Sequence, residues 1–312
     1  MNNPFPYSDT NKRFHTIDWE YKRRFGKKVV KIPLNAGLGC PNRDGRSGVG
    51  GCTFCSHSLS GEFAGNPADS LKRQFEEVKK LYLNKWQSFD CIAYLQAGTN
   101  TYAPLFKLKE IYKAALELPV VGLSIATRAD CIDTERLTFL KEVSQSTFLT
   151  VELGLQTVND KTAERINRCH SFNDFVKGYD LLKNAGIRVG VHIINGLPGE
   201  SCDDMLETAR AVARLRSDEL KIHLLHVISG TKIAHEYEKG ELKTLEKEEY
   251  INLVCDQLEV LPPETAIGRL TGDGDRKTLL APLWSMDKRS VLNGIDKELA
   301  KRNTYQGSKY LM

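Results

Sequence analysis

The sequence predicts an α/β fold: a partial, TIM-like (β/α)6 barrel with a basic extension at each end. Three observations predict it. Short apolar runs alternate with longer amphipathic ones, the order expected of a parallel sheet covered by helices. The short runs are too uniformly apolar for a sheet with one wet face. Nearly every run also ends in a polar or Gly-rich cluster, as when the carboxyl ends of parallel strands share one mouth. A doubly wound sheet is the rival, but no G-x-G-x-x-G follows the first strand.

VVKIPL (29–34) reads as the first strand and runs into a loop rich in Gly and Cys. Residues 67–86 have helical spacing, with Leu71, Phe75, Val78, Leu81 and Tyr82 on one side. CIAYLQ (91–96) is the second strand, 105–118 a helix stopped by Pro119, and 120–127 the third strand. A helix over 133–144 leads to the nearly continuous apolar strand 148–156. The helix 173–185 closes on Gly186, a usual helix stop, before a fifth strand at 187–195. A helix at 203–216 and a sixth strand at 219–228 complete the barrel. Residues 247–262 read as a peripheral helix, and 266–312 as an appended segment ending in a basic helix, 287–302. The expected division is a basic N-terminal extension (1–26), the barrel (27–264) and a basic C-terminal accessory segment (265–312).

Hydrophobic content of 41% and charged content of 27% suit a soluble globular protein. No run approaches the ~18 apolar residues of a membrane span, so no membrane partner is expected. The start, MNNPFPYSDTNKRF, has no apolar signal core and reads as mature sequence. The eight cysteines form no regular disulfide framework, so free thiols or metal ligands in the cytoplasm are the better reading. The net charge is only +4, but cations crowd residues 12–31 and 269–309, where Trp19, Tyr21 and Phe25 interleave with them. An anionic partner follows from that distribution, nucleic acid first; a solvated face, or packing of the aromatics on the barrel, is the plainer alternative.

The stretch LGCPNRDGRSGVGGCTFCSH (38–57) carries the chemistry. Cys40 lies 12 residues before Cys52, and Cys55 completes a C-x-x-C pair. Three thiols on one loop suit a [4Fe–4S] cluster with one iron left open. The competing reading is structural zinc on Cys40, Cys52, Cys55 and His57.

Further motifs carry a resemblance. An aromatic residue, Phe54, precedes the last cysteine; Gln96-Ala97-Gly98-Thr99 ends the second strand; the fourth strand runs VELGLQTVND; the fifth continues into HIINGLPGES. The chain resembles the radical S-adenosylmethionine (SAM) enzymes, and in particular their elongator-like and coproporphyrinogen-oxidase-like branches. Its opening and closing stretches are similar to a bacterial elongator-like family linked to tRNA wobble-uridine modification. The resemblance implies a barrel of the radical SAM type, and SAM on the open iron of a cluster held by Cys40, Cys52 and Cys55. It implies that Phe54 packs on the adenine and that Ala97, Gly98 and Thr99 hold the methionine amino group. Gln156 and Arg168 would also contact SAM, with Arg168, twelve residues on, pairing the methionine carboxylate. His192 stands where the family has an acidic ribose ligand. Reductive cleavage of SAM would give a 5′-deoxyadenosyl radical that takes hydrogen from a wobble uridine, fed by an electron donor such as flavodoxin or ferredoxin. A small metabolite or porphyrin-like acid is the alternative substrate, and a zinc-stabilised RNA-binding protein the alternative without catalysis.

Several residues keep two readings. Gln156 and Arg168 could instead be a strand-end hydrogen bond and a surface charge. Arg128 could hold a carboxylate or form a structural ion pair, and Glu152 needs a partner wherever its buried strand points it. His223 and His226 face opposite sides of a strand, one of them toward the cavity. Cys169 beside Arg168 is the thiol a cation would acidify.

Overall fold

The computed structural model describes residues 5–272 and 274–311. In chain order its elements are α1 (Ile17–Phe25), β1 (Val29–Leu34), α2 (Leu71–Leu83), β2 (Asp90–Leu95), α3 (Leu105–Leu116), β3 (Gly122–Thr127), α4 (Thr134–Ser146) and β4 (Phe148–Gln156). They continue with α5 (Asp160–Arg165), α6 (Phe172–Asn184), β5 (Arg188–Asn195), α7 (Cys202–Leu215), β6 (Glu219–Leu224), β7 (Val227–Ile228) and α8 (Lys232–Glu238). The chain closes with α9 (Lys247–Val260), β8 (Ala266–Arg269), β9 (Leu279–Ala281) and α10 (Lys288–Lys301). Seven strands form one parallel sheet in the order β1-β2-β3-β4-β5-β6-β8, curled into a half-barrel. Its outward residues, such as Leu34, Leu95, Ile125, Val151, Val191 and Ile222, are fully buried under the helices. Helix starts follow local chemistry: Ser171 and Ser201 make capping boxes with Asp174 and Asp204.

Three features differ from the sequence expectation. First, β8 joins the sheet as a seventh strand although it lies in the expected accessory segment. It has only four residues, including Gly268, too few for a period to register. Second, the expected strand 219–228 breaks after Leu224: Leu225 N–H still donates to Asn195 O (2.8 Å), but Val227–Ile228 turns away to pair antiparallel with β9. Third, α9 is not peripheral. It wedges between α7 and α10, with Tyr250, Leu253, Val254 and Leu258 buried.

The N-terminal extension is also bound into the fold. Thr16 bridges to Ile267 on β8, and Gln306 donates through its backbone to Arg13 O (2.9 Å). Tyr21 is buried, and Phe25 stands edge-on to Phe148. Tyr21 and Phe25 are therefore packing residues.

Candidate active site

The cysteine loop lies between β1 and α2, at the carboxyl end of the sheet. Arg43 N–H donates to Cys40 O (2.9 Å) and Cys55 N–H to Cys52 O (3.0 Å), so each cysteine sits in a tight turn. The loop is tied to the loop after α5: Thr53 N–H donates to Ile166 O (3.0 Å), and Asn167 Nδ2 donates to Gly51 O (2.8 Å). Asn42 Nδ2 and Arg43 Nη2 each lie 3.5 Å from a cysteine sulfur, Cys52 and Cys55 respectively. Arg128 and Arg168 lie close enough to Cys40 and Cys52 to feel their charge. Among the described residues no three His, Cys, Asp or Glu side chains converge on one point. His57, the fourth ligand in the zinc reading, is exposed. The donor set is nonetheless one that suits an iron–sulfur cluster: three half-buried thiols with N–H donors and guanidinium groups beside them.

The Ala-Gly-Thr turn after β2 is laced to this loop. Thr99 N–H donates to Gly39 O (2.9 Å), Gly98 N–H to Leu59 O (3.2 Å), and Gln96 Nε2 to Ser60 O (3.0 Å). Gly98 has φ +76°, and a Cβ there would lie 2.3 Å from Leu38 O, so only glycine fits. Ala97 is buried against Gly61. Asn100, which sequence reading missed, anchors the turn from inside: its Nδ2 donates to Leu95 O, Ala97 O and Ala126 O at 3.0–3.2 Å. The only sequence signal was a further polar residue after the Gly-Thr pair.

On β4 the E-x-G-x-Q pattern has a mechanical meaning. The register with β5 shifts between Gly154 and Gln156, and Gln156 takes φ +74°. A Cβ on Gly154 would lie 2.8 Å from Gln156 Nε2 and 3.2 Å from Arg168 Nη2. Arg168 is buried, not a surface charge, and its Nη2 donates to Gly154 O. Its Nε is buried without a hydrogen-bond partner among the described residues. Arg128 resolves as a positioning residue. It forks onto Asp130 (2.8 and 2.7 Å) and donates to Arg168 O (3.0 Å), which fixes the segment carrying Arg168. Cys169 departs from expectation, because burial pushes its thiol up and outweighs the pull of Arg128.

Glu152 finds its partners inside the barrel. It accepts from Lys31 Nζ (2.7 Å), His192 Nε2 (2.7 Å), Lys221 Nζ and Ser124 Oγ. Glu219 accepts from Lys31 Nζ (2.9 Å) and Arg188 Nε (3.3 Å). Burial and Lys221 push His192 down to about 4, so it is neutral, with Nε2 carrying the proton and Nδ1 an acceptor. The His223 ring lies 5.1 Å from that of His192, tilted by 37°, inside the barrel, whereas His226 lies against Gly272 beyond the strand. Phe54 packs on an apolar cluster that includes Ile166, Leu197, Leu225 and Ile233.

The cations of residues 12–31 are largely committed internally: Lys12 to Asp296, Lys22 and Lys28 to Asp18, Lys27 to Asp90, and Lys31 to the buried glutamates. A different concentration lines a cavity of about 1220 Å³ between β1 and β8, where the half-barrel is open. Lys85, Arg276, Lys277 and Lys288 stand at this cavity with Phe63 and Trp86, and Lys221 and Tyr94 line it from inside the barrel.

Residues 34–212 match the Radical SAM superfamily, and 217–301 match the Radical_SAM C-terminal domain. The chain belongs to the radical SAM superfamily. As a member it is an enzyme whose cofactors are a [4Fe–4S] cluster and SAM. It is 51% identical to YtqA of Bacillus subtilis over 98% of this chain and 96% of that protein. To YhcC of Escherichia coli K12 it is 36% identical over 92% of each. A tRNA uridine(34) acetyltransferase of Methanocaldococcus jannaschii is 28% identical over 49% of this chain and 28% of that one. Among solved structures, Elp3 of Methanocaldococcus infernus superposes with a TM-score of 0.65 at 18% identity, over 89% of this chain and 64% of that one. That likeness is one of fold. No helix among the described residues is long and apolar enough to cross a membrane.

Proposed function

We propose that this enzyme modifies the side chain of the wobble uridine in tRNA. In this reading Cys40, Cys52 and Cys55 hold the cluster, and Phe54, Ala97, Gly98, Thr99, Gln156, Arg168 and His192 form the SAM site. When bound, the two cofactors supply a 5′-deoxyadenosyl radical that takes hydrogen from the substrate. The observation that supports the reading is the lacing of the cysteine loop to the turn after β2 and, through the segment carrying Arg168, to the end of β4. The chain's residues have separable tasks there. The unpartnered Nε of Arg168 is a donor for a carboxylate. His192, neutral and accepting through Nδ1, suits a ribose hydroxyl in place of the family's acid. Asn42 and Arg43 donate toward the sulfurs and tune the cluster.

The tRNA substrate rests on relatives such as the tRNA uridine(34) acetyltransferases, and on the cations at the open side of the barrel. A stacked anticodon base has to be extruded to reach a closed pocket. An acidic one-electron carrier of the flavodoxin or ferredoxin class is the proposed reductant, and a cytoplasmic location accords with the free cysteines. Mass spectrometry of tRNA nucleosides from a deletion strain tests the substrate. A changed wobble-uridine side chain is expected; unaltered wobble uridines under aerobic and anaerobic growth contradict it.

A further inference from the structure

Gly154, His192, Lys221 and Arg269 stand in one register row across β4, β5, β6 and β8. The row begins where Arg168 bonds Gly154 O and ends on the cavity wall at Lys221 and Arg269. Lys221 is the member that keeps a donor without a hydrogen-bond partner among the described residues. Its ammonium has three N–H donors: one meets Glu152 and one meets Tyr94 OH (3.3 Å), with the ammonium 4.4 Å from the centre of the Tyr94 ring. Glu152 is already shared with Lys31, His192 and Ser124, whereas Lys31 has Glu219 as a second carboxylate and Lys221 has none among the described residues. The cavity that Lys221 and Tyr94 line is where its remaining donor can find an acceptor.

We propose that Lys221, braced by Glu152 and Tyr94, is a specificity-determining residue that receives an anionic group of the substrate. The inference rests on the proposed substrate reading, and it adds that the group presented to the inner wall is charged. An anion there completes the third hydrogen bond of a buried ammonium and gives it a charge partner of its own beside the shared Glu152. Burial, helped by Lys31 and opposed by Glu152, pushes Lys221 down to about 8, and an anion beside it would favour its charged form. Lys221 sits beside His192 in the row, so a substrate held on it lies next to the proposed ribose end of the SAM site. Lys85, Arg276 and Lys277, exposed at the rim, favour the approach of the same class of ligand.

The anion could be a carboxylate on the base or a phosphate of the backbone, and paired probes separate the two. Calorimetry on the full chain compares 5-carboxymethyluridine with its amide, and uridine 5′-monophosphate with uridine. The same carboxylate–amide pair is also placed in a short anticodon stem–loop. Each ratio is taken within one protein, so a general loss of stability cancels. Wild type should prefer one charged probe by about tenfold or more. Lys221→Met should lose that preference, while Lys221→Arg keeps part of it. A preference that survives Lys221→Met, or is absent from wild type with both pairs, overturns the inference. Stem–loop binding with no charge preference overturns it while the tRNA reading stands. A Lys221-dependent preference seen only with free nucleosides supports it while the tRNA reading falls.

Discussion

At the scale of single residues, glycines set the tolerances of the site. Gly98→Ala would force a left-handed residue and drive a Cβ against Leu38 O, a backbone atom with nowhere to move. We expect it to cost more than about 2 kcal/mol and to lower iron content after reconstitution, because the strain falls on the cysteine loop. Retention of full iron content would separate the turn from the cluster. Gly154→Ala displaces softer atoms, the ends of Gln156 and Arg168, so it should weaken SAM binding while leaving iron content near wild type. Arg168→Ala should weaken SAM about ten- to a hundredfold by equilibrium dialysis, the loss of one charge-assisted contact. Glu200 gives a stability test. Burial pushes its carboxyl up to about 7 from 4.5, so folding takes up a proton between those values. Its contribution therefore worsens as pH rises from about 4.5 through 7, by at most about 3 kcal/mol, and is flat above. Glu200→Gln should raise the melting temperature at pH 8 and change it little at pH 4; equal shifts at both would deny the linkage. The spacing of the cysteines marked a metal loop and left iron–sulfur and zinc open; the other motifs favoured the cluster. Arg168 was singled out by resemblance, and its burial was not legible, because only the three-dimensional path of the loop after α5 brings it to Gly154.

At the scale of elements, the interior of the barrel is held by ions as well as by packing. Lys31 bridges Glu152 on β4 and Glu219 on β6 from the edge strand β1, drawing opposite sides of the half-barrel together. Removing one partner of such a buried cluster leaves the others uncompensated. Lys31→Met is expected to cost roughly 3–5 kcal/mol, read as a lower urea midpoint. A change under 1 kcal/mol would mean that water replaces the lysine. Sequence periodicity found the helices well, to within a few residues at each end of α3, α6, α7 and α10. It could not find β8, which is short and owes its pairing to β6, nor the partners of Glu152, which come from strands far apart in the chain. Over residues 12–31 it read a run of cations, of which Lys12 pairs with Asp296, Lys27 with Asp90, and Lys22 and Lys28 share Asp18. A charge run says how many cations there are and nothing of what each one meets.

At the scale of the molecule, the parallel half-barrel separates two surfaces of one reaction. The cysteine loop after β1 is laced to the turn after β2 and to the segment that carries Arg168, and the gap between β1 and β8 leaves a side opening lined by cations. The account stands first on the cysteine loop, and the measurement that tests it most directly is electron paramagnetic resonance on anaerobically reduced protein, with and without SAM. Wild type should carry about four irons per chain and give a cluster signal that shifts when SAM is added, because one iron is open to it. Cys91→Ala and Cys255→Ala should behave likewise, whereas alanine at Cys40, Cys52 and Cys55 together should abolish iron and signal. A triple variant that keeps its iron, or a wild-type signal indifferent to SAM, would contradict the account.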